Sequence, residues 1–113
     1  MHEFSLAQNI IEIVEETMKK NDLSKVSEVV LEIGTISGVE ISALDMALES
    51  LREGSVIEKA DIRKNIIRAR ATCTTCNYEF EPEEVFTPCP NCGNFGMDII
   101  VGKEFRVKSI TAE

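Results

Sequence analysis

CTTCNYEFEPEEVFTPCPNC, residues 73–92, holds all four cysteines of a 113-residue chain. Cys73, Cys76, Cys89 and Cys92 fall as two C-x2-C pairs with twelve residues between them. Each pair places two sulfurs on one side of a tight knuckle, and two facing knuckles make a tetrahedral S4 metal site. The linker is shorter than is usual for such pairs, but a short hairpin closes it. Gly93 follows the second knuckle, where a left-handed backbone lets amides point at sulfur. Asn77 holds the equivalent place after the first, and Asn is the non-glycine residue that best tolerates that conformation. Zinc is favoured over iron, which the same ligands can hold, so one structural zinc ion is the expected cofactor. No histidine and no open coordination position accompanies the cysteines, which argues against catalysis at this metal.

The composition changes around this stretch. Residues 71–101 contain every cysteine and every proline but no Lys or Arg, while Glu79, Glu81, Glu83, Glu84 and Asp98 make the segment acidic. Nucleic-acid-binding zinc ribbons carry a basic footprint, so this module looks built for protein contact or for stability. The pattern predicts a metal-stapled domain, 71–101, inserted into the sheet of a first domain formed by 1–70 and 102–113.

Outside the insert, apolar residues at Phe4, Ala7, Ile11, Val14 and Met18 repeat at helix spacing, with Leu6, Ile10 and Ile13 widening the stripe. Glu12, Glu15 and Glu16 take the solvated face, Lys19 and Lys20 suit the last turn, and Asn21 is a plausible stop. Residues 27–36, SEVVLEIGTI, read as a strand from their β-branched alternation. Ser42 with Asp45 offers a capping box for a second helix carrying Leu44, Ala47, Leu48 and Leu51, which Gly54 ends. Met18 and Met46 are expected in the core. Residues 62–72 and 105–110 read as two further strands. Arg63, Lys64, Arg68 and Arg70 form the one basic run, expected to be an exposed strand face.

The net charge of −8 argues against nucleic acid and against anionic membrane. Polar and charged residues begin at His2, with no leader pattern and no run near the roughly 18 apolar residues that span a bilayer. A reducing, cytoplasmic location is therefore expected, where cysteines serve metals more than disulfides.

His2 is the single histidine. A bulky second residue disfavours removal of Met1, leaving a free amine. That amine, the deprotonated His2 amide and His2 Nδ1 would close a five-membered and a six-membered chelate ring. Such a planar nitrogen set suits Ni(II) or Cu(II), and the Glu3 amide could supply a fourth donor. At this point His2 has two readings, an incidental terminal residue or part of a chelating terminus.

MHEFSLA at residues 1–7, LEIG at 31–34, the paired CxxC with its CPNCG ending, and GKEFRV at 102–107 together resemble the hydrogenase-maturation nickel chaperones, the HypA/HybF family. The resemblance runs from Met1 to near Ile110. It implies an α+β fold, two helices packed on a three-stranded sheet, with a small zinc-ribbon-like domain inserted. It implies that Ni(II) is a reversible cargo bound at the N-terminus by Met1, His2 and nearby amides, with Glu3 beside them. Glu40 matches a position where a relative can offer a carboxylate close to nickel. The implied role is delivery of nickel to the [NiFe]-hydrogenase large-subunit precursor together with a nickel-linked maturation GTPase, and in some relatives service to urease through its accessory proteins. A monomer or homodimer, binding no nucleic acid and no membrane, is expected. Asn77 departs from the glycine common after the first knuckle. No histidine flanks the cysteines, so a histidine-for-cysteine ligand exchange is not expected.

Three other functions compete. A zinc-ribbon adaptor or transcription accessory protein with no nickel role fits the cysteines, though the acidity counts against its binding nucleic acid. A rubredoxin-like electron carrier would hold iron and be red. A hydrolytic enzyme lacks a nucleophile–base pair.

Overall fold

The structure is a computed structural model that describes residues 3–113; Met1 and His2 lie outside the described residues. In chain order the elements are α1 (Glu3–Lys20), β1 (Val26–Gly34), α2 (Ile41–Arg52), β2 (Asp61–Ile67), β3 (Arg70–Cys73), β4 (Glu79–Phe80), β5 (Met97–Val101) and β6 (Phe105–Ala112). One three-stranded sheet has the order β2-β1-β6 and a second has the order β4-β3-β5. The fold is α+β, as the resemblance implied. Contacts divide the chain into two units: Met1–Leu31, Val39–Lys64 and Arg106–Glu113 in one, Glu32–Gly38 and Asn65–Phe105 in the other.

In the first unit, α1 buries Ala7, Ile10, Val14 and Met18. This narrows the expected stripe: Phe4 and Ile13 are exposed, because the helix turns its Ala7–Ile10–Val14 line inward. Glu12, Glu15 and Glu16 are solvated as read. The chain turns at Asn21 and Asp22, and Asp22 takes the left-handed conformation (φ 56°) that ends many helices. α2 packs against α1 and buries Leu44, Ala47 and Leu48. Met46, expected in the core, is 73% exposed, since it lies on the opposite side of the helix from Leu44 and Leu48. Gly54 (φ 77°) follows the last turn of α2. The half-buried Arg52 guanidinium then closes the loop, donating to the Ile57 carbonyl (3.3 Å) and the Ala60 carbonyl. Val29 and Leu31 of β1 complete this core, both fully buried.

The stretch 62–72 is not one strand. It divides into β2 and β3, which belong to different sheets. At the break the Ala69 amide donates to Thr35 Oγ1 (2.9 Å) and the Ile67 carbonyl accepts from the Thr35 amide (2.9 Å), so the strand's pairing with its neighbour ends there.

The second unit is organised by this same place. The Gly34 amide donates to the Glu104 carbonyl (2.7 Å) and the Ile36 amide to the Gly102 carbonyl (3.0 Å). A Cβ on Gly34 would stand 1.9 Å from the Gly102 oxygen, and one on Gly102 (φ 115°) would stand 2.4 Å from the Ala69 Cα. Three chain segments thus meet backbone to backbone, and no side chain fits between them. Beyond them, β3 pairs antiparallel with β4 (Ala71 opposite Phe80) and with β5 (Cys73 opposite Met97), with an irregularity between Arg70 and Ala71. Ala71, Cys73, Phe80 and Cys89 form a small core, with Cys76, Met97 and Ile99 packed on it.

The basic run is neutralised within the chain. Arg63 pairs with Glu28 (3.5 Å), Lys64 with Asp45 (2.6 Å), Arg68 with Glu81 (3.1 Å) and Arg70 with Glu79 (3.2 Å).

Gly34→Ala is expected to prevent folding or to cost more than about 4 kcal/mol, the range of the severest single substitutions. Gly54→Ala, where the added carbon meets open space, should cost only about 1–2 kcal/mol of left-handed backbone strain. Urea unfolding of the two variants makes the comparison; equal midpoints would refute the backbone crossing as a constraint.

Candidate metal centre

The four cysteines arrive on two knuckles with different sequences and matching hydrogen bonds. In the first, the Cys73 amide donates to the Tyr78 carbonyl (2.9 Å) and the Asn77 amide to the Cys73 carbonyl (3.0 Å). In the second, the Cys89 amide donates to the Asn94 carbonyl (2.8 Å) and the Gly93 amide to the Cys89 carbonyl (2.8 Å). The residue after each second cysteine is left-handed, Asn77 at φ 63° and Gly93 at φ 79°. The Thr75 amide reaches Cys73 Sγ and the Asn91 amide reaches Cys89 Sγ, each at 3.4 Å. The left-handed residue reverses the chain tightly enough for the carbonyl of the residue after it to meet the first cysteine's amide.

The knuckles bring all four sulfurs within 4.8 Å of one another. Cys73 Sγ lies 3.5 Å from Cys92 Sγ, and Cys76 Sγ lies 3.7 Å from Cys89 Sγ. Tetrahedral ligation with metal–sulfur bonds of about 2.3 Å requires sulfur–sulfur distances of about 3.8 Å, so the donor set fits an M–S4 centre without rearrangement of the chain. Cys73 and Cys89 are buried, whereas Cys92 is exposed.

The surroundings favour thiolate where it is needed. The Cys76 and Thr75 amides hold the Cys73 thiol down at about 6. The Asn91 side-chain amide, reaching Cys76 Sγ at 3.5 Å, lowers Cys76, helped by the Tyr78 amide. At Cys92 the Asn94 amide lowers the value, but burial and the three neighbouring thiols outweigh it and push the group up to about 11. Four thiols this close cannot all ionise unaided, and a divalent cation resolves the conflict. Asn91 and Asn94, whose side chains donate to Cys76 and Cys92, are functional residues that the sequence pattern did not single out. Their signal was an asparagine inside the second knuckle and another just after it.

Of the other predicted site residues, Glu3 and Glu40 fall at the starts of the two helices. Met1 and His2 lie outside the described residues. Glu3, the first residue of α1, accepts the Glu40 amide on Oε2 (3.1 Å), so Glu3 and Glu40 are neighbours. Glu40 is the N-cap of α2: its carboxylate accepts the Ser42 amide (3.0 Å) and the Ser42 hydroxyl. This corrects the expected capping box, because Ser42 lies inside the first turn and serves the cap instead of being it. The Ser42 hydroxyl first, then the Ser42 amide, hold the Glu40 carboxyl below the usual carboxylate range, while burial and the nearby Glu3 oppose them. Among the described residues, the cysteine set is the group of His, Cys, Asp or Glu that converges for a metal, and no helix is long and apolar enough to cross a membrane.

Residues 1–112 match a family described as hydrogenase/urease nickel incorporation, metallochaperone, hypA. The chain is similar to the hydrogenase maturation factor HypA of Parabacteroides distasonis, 46% identical over 110 residues that cover 97% of this chain and 96% of that one. It is 38% identical to the hydrogenase maturation factor HypA of Aquifex aeolicus over 113 residues, 100% of this chain and 98% of that one. The solution structure of the Ni metallochaperone HypA from Helicobacter pylori superposes with a TM-score of 0.69 at 30% identity, over 99% of this chain and 97% of that one. The likeness therefore extends through both sheets and both helices rather than resting on the knuckles.

The thiol environment sets a pH dependence. Cys73 falls from an ordinary 9.0 to about 6. Its thiolate contribution to the folded state is complete above pH 9 and is lost as pH falls through about 6. Protons compete with metal for these thiolates, so metal affinity should fall as pH is lowered, with release followed by a chromophoric chelator. Amide exchange should then rise across β3, β4, β5 and both knuckles while α1 and α2 stay protected. Unchanged exchange in the knuckles after metal removal would contradict the site.

Proposed function

This chain belongs to the HypA family of nickel-incorporation metallochaperones, and on that premise we propose that it carries Ni(II) at its N-terminus for [NiFe]-hydrogenase maturation, with zinc in the cysteine site. The observation that carries the reading is the bond between the Glu40 amide and Glu3 Oε2. It ties the first turn of α1 to the start of α2, so Glu3 stands at an anchored helix end. The proposed donors are the Met1 amine, the His2 imidazole and the amides of His2 and Glu3. Glu40 would act beside them, as a nearby carboxylate and as the cap that keeps its own amide aimed at Glu3.

Nickel here is cargo, so binding must be reversible. Protons compete for an imidazole near about pH 6.5 and for the amine above it, so affinity falls on acidification. The four thiolates offer a closed, soft S4 set, which suits zinc in a structural role and leaves no position for substrate. On this reading the protein is a cytoplasmic carrier and not an enzyme, the parts 1–70 and 102–113 serving nickel and 71–101 serving zinc. Its partners are the hydrogenase large-subunit precursor and a nickel-linked GTPase, and urease accessory proteins where a host has them.

Untagged protein should contain one zinc per chain and bind Ni(II) in titration calorimetry. His2→Ala, or an extension ahead of Met1, should remove Ni(II) binding while leaving zinc content and circular dichroism unchanged. Undiminished Ni(II) binding by His2→Ala would overturn the N-terminal assignment. Glu40→Ala should lower both Ni(II) affinity and the melting temperature, because it removes the cap as well as the carboxylate.

A further inference from the structure

The insert carries apolar surface that the metal site does not use. Phe86 is 81% exposed and Val85 46% exposed, an unusual expense of aromatic surface for a small unit. Neither dangles. The Thr87 hydroxyl accepts the Glu84 amide (3.0 Å) and donates to the Glu84 carbonyl (2.8 Å), which locks a turn with Val85 and Phe86 at its tip. Beneath that turn lies a pocket of about 430 Å³. Phe80, Phe86, Pro88 and Pro90 supply its apolar walls, and Glu81, Glu83 and Glu84 supply its rim. Phe80 belongs to the same small core as Cys89, so the wall is continuous with the second knuckle. Glu81 already pairs with Arg68. Glu83 and Glu84 are exposed, and residues 71–101 contain no Lys or Arg of their own.

We propose that this pocket docks a lysine- or arginine-bearing segment of a partner protein. An apolar trough with a carboxylate rim is complementary to a long side chain with an apolar stem and a cationic tip. The stem lies along Phe80, Phe86 and the prolines. The tip is drawn to Glu83 and Glu84, with the Phe86 ring face as a second attraction for the cation. The same rim repels phosphate, so nucleic acid and anionic lipid do not fit. The rigid turn lowers the ordering cost of association, and an exposed aromatic at the edge of a pocket can anchor such an interface. This inference stands apart from the nickel reading, because it uses none of the proposed nickel donors.

The test uses full-length, zinc-loaded protein and a fluorescent peptide of alternating lysine and leucine, with matched peptides carrying serine or glutamate in place of lysine. Anisotropy should show the lysine peptide binding, the glutamate peptide not binding, and the serine peptide about tenfold weaker or worse. Amide shifts should concentrate at residues 80–90. Phe86→Ser should weaken binding about fivefold or more, and the Glu83→Lys/Glu84→Lys pair about tenfold or more. Zinc content serves as the fold control, since these side chains are exposed and outside the ligand set. Shifts spread equally over the acidic face of α1 (Glu12, Glu15, Glu16), equal binding of the serine peptide, or full affinity in Phe86→Ser would each overturn the proposal. So would concentration-dependent self-association abolished by Phe86→Ser, which would assign the patch to a second copy of the chain.

Discussion

The close approach of Gly34, Ala69 and Gly102 is the constraint on which the second unit depends. At that point the end of β1, the link from β2 to β3 and the link from β5 to β6 come together, with no room for a Cβ on Gly34 or Gly102. The hydrogen bonds there involve backbone groups of all three segments and the Thr35 hydroxyl. Buried backbone groups must find partners, and these three segments satisfy one another. Both glycines sit in the short stretches LEIG and GKEFRV that carry the family resemblance, so a physical reason underlies those letters. They are where the chain leaves one sheet for the other.

The metal site follows a different logic, in which local hydrogen bonding substitutes for a large core. The insert buries little apolar surface, and two of its four core residues are themselves cysteines. Matching knuckles aim amides at sulfur from both sides, and Asn91 reaches across from the second knuckle to the first. The same economy governs charge. Every residue of the basic run is held by an acid of the same chain, pairs that add little stability in water but cancel the positive surface. Acidic groups outnumber basic ones, with a net charge of −8, a field that on balance attracts cations and repels phosphate.

Elements with a strong period were legible in the sequence. The helices, the central strand and the metal knuckles follow from spacing alone, since each repeats one local rule. The rest was decided by neighbours distant in sequence. Residues 62–72 look continuous because nothing between Ile67 and Arg70 breaks a strand; Thr35, more than thirty residues earlier, breaks it by taking the Ala69 amide. Ser42 has the better capping chemistry on paper, yet Glu40 caps α2. Met46 shares the helix period but faces water, because period fixes which residues align and not how the helix is rotated. β4 is two residues long, too short to leave a pattern. The asparagine donors to sulfur were visible as letters but not as roles, because their partners depend on how the knuckles face each other.

The meeting of Ala69 and Gly102 has a further consequence for how such a chain can vary. Residues 70–101 leave and return at points whose backbones touch, so the segment is a closed loop in the topological sense. Closing a loop costs free energy that grows only slowly with its length, about 0.6 kcal/mol for each doubling. The strands on either side are held by the crossing, whatever lies between. The loop between the knuckles can therefore lengthen, shorten or change its surface while the crossing stays in place. Recognition surface and scaffold are separable here, and the separation is set by two glycines and an alanine.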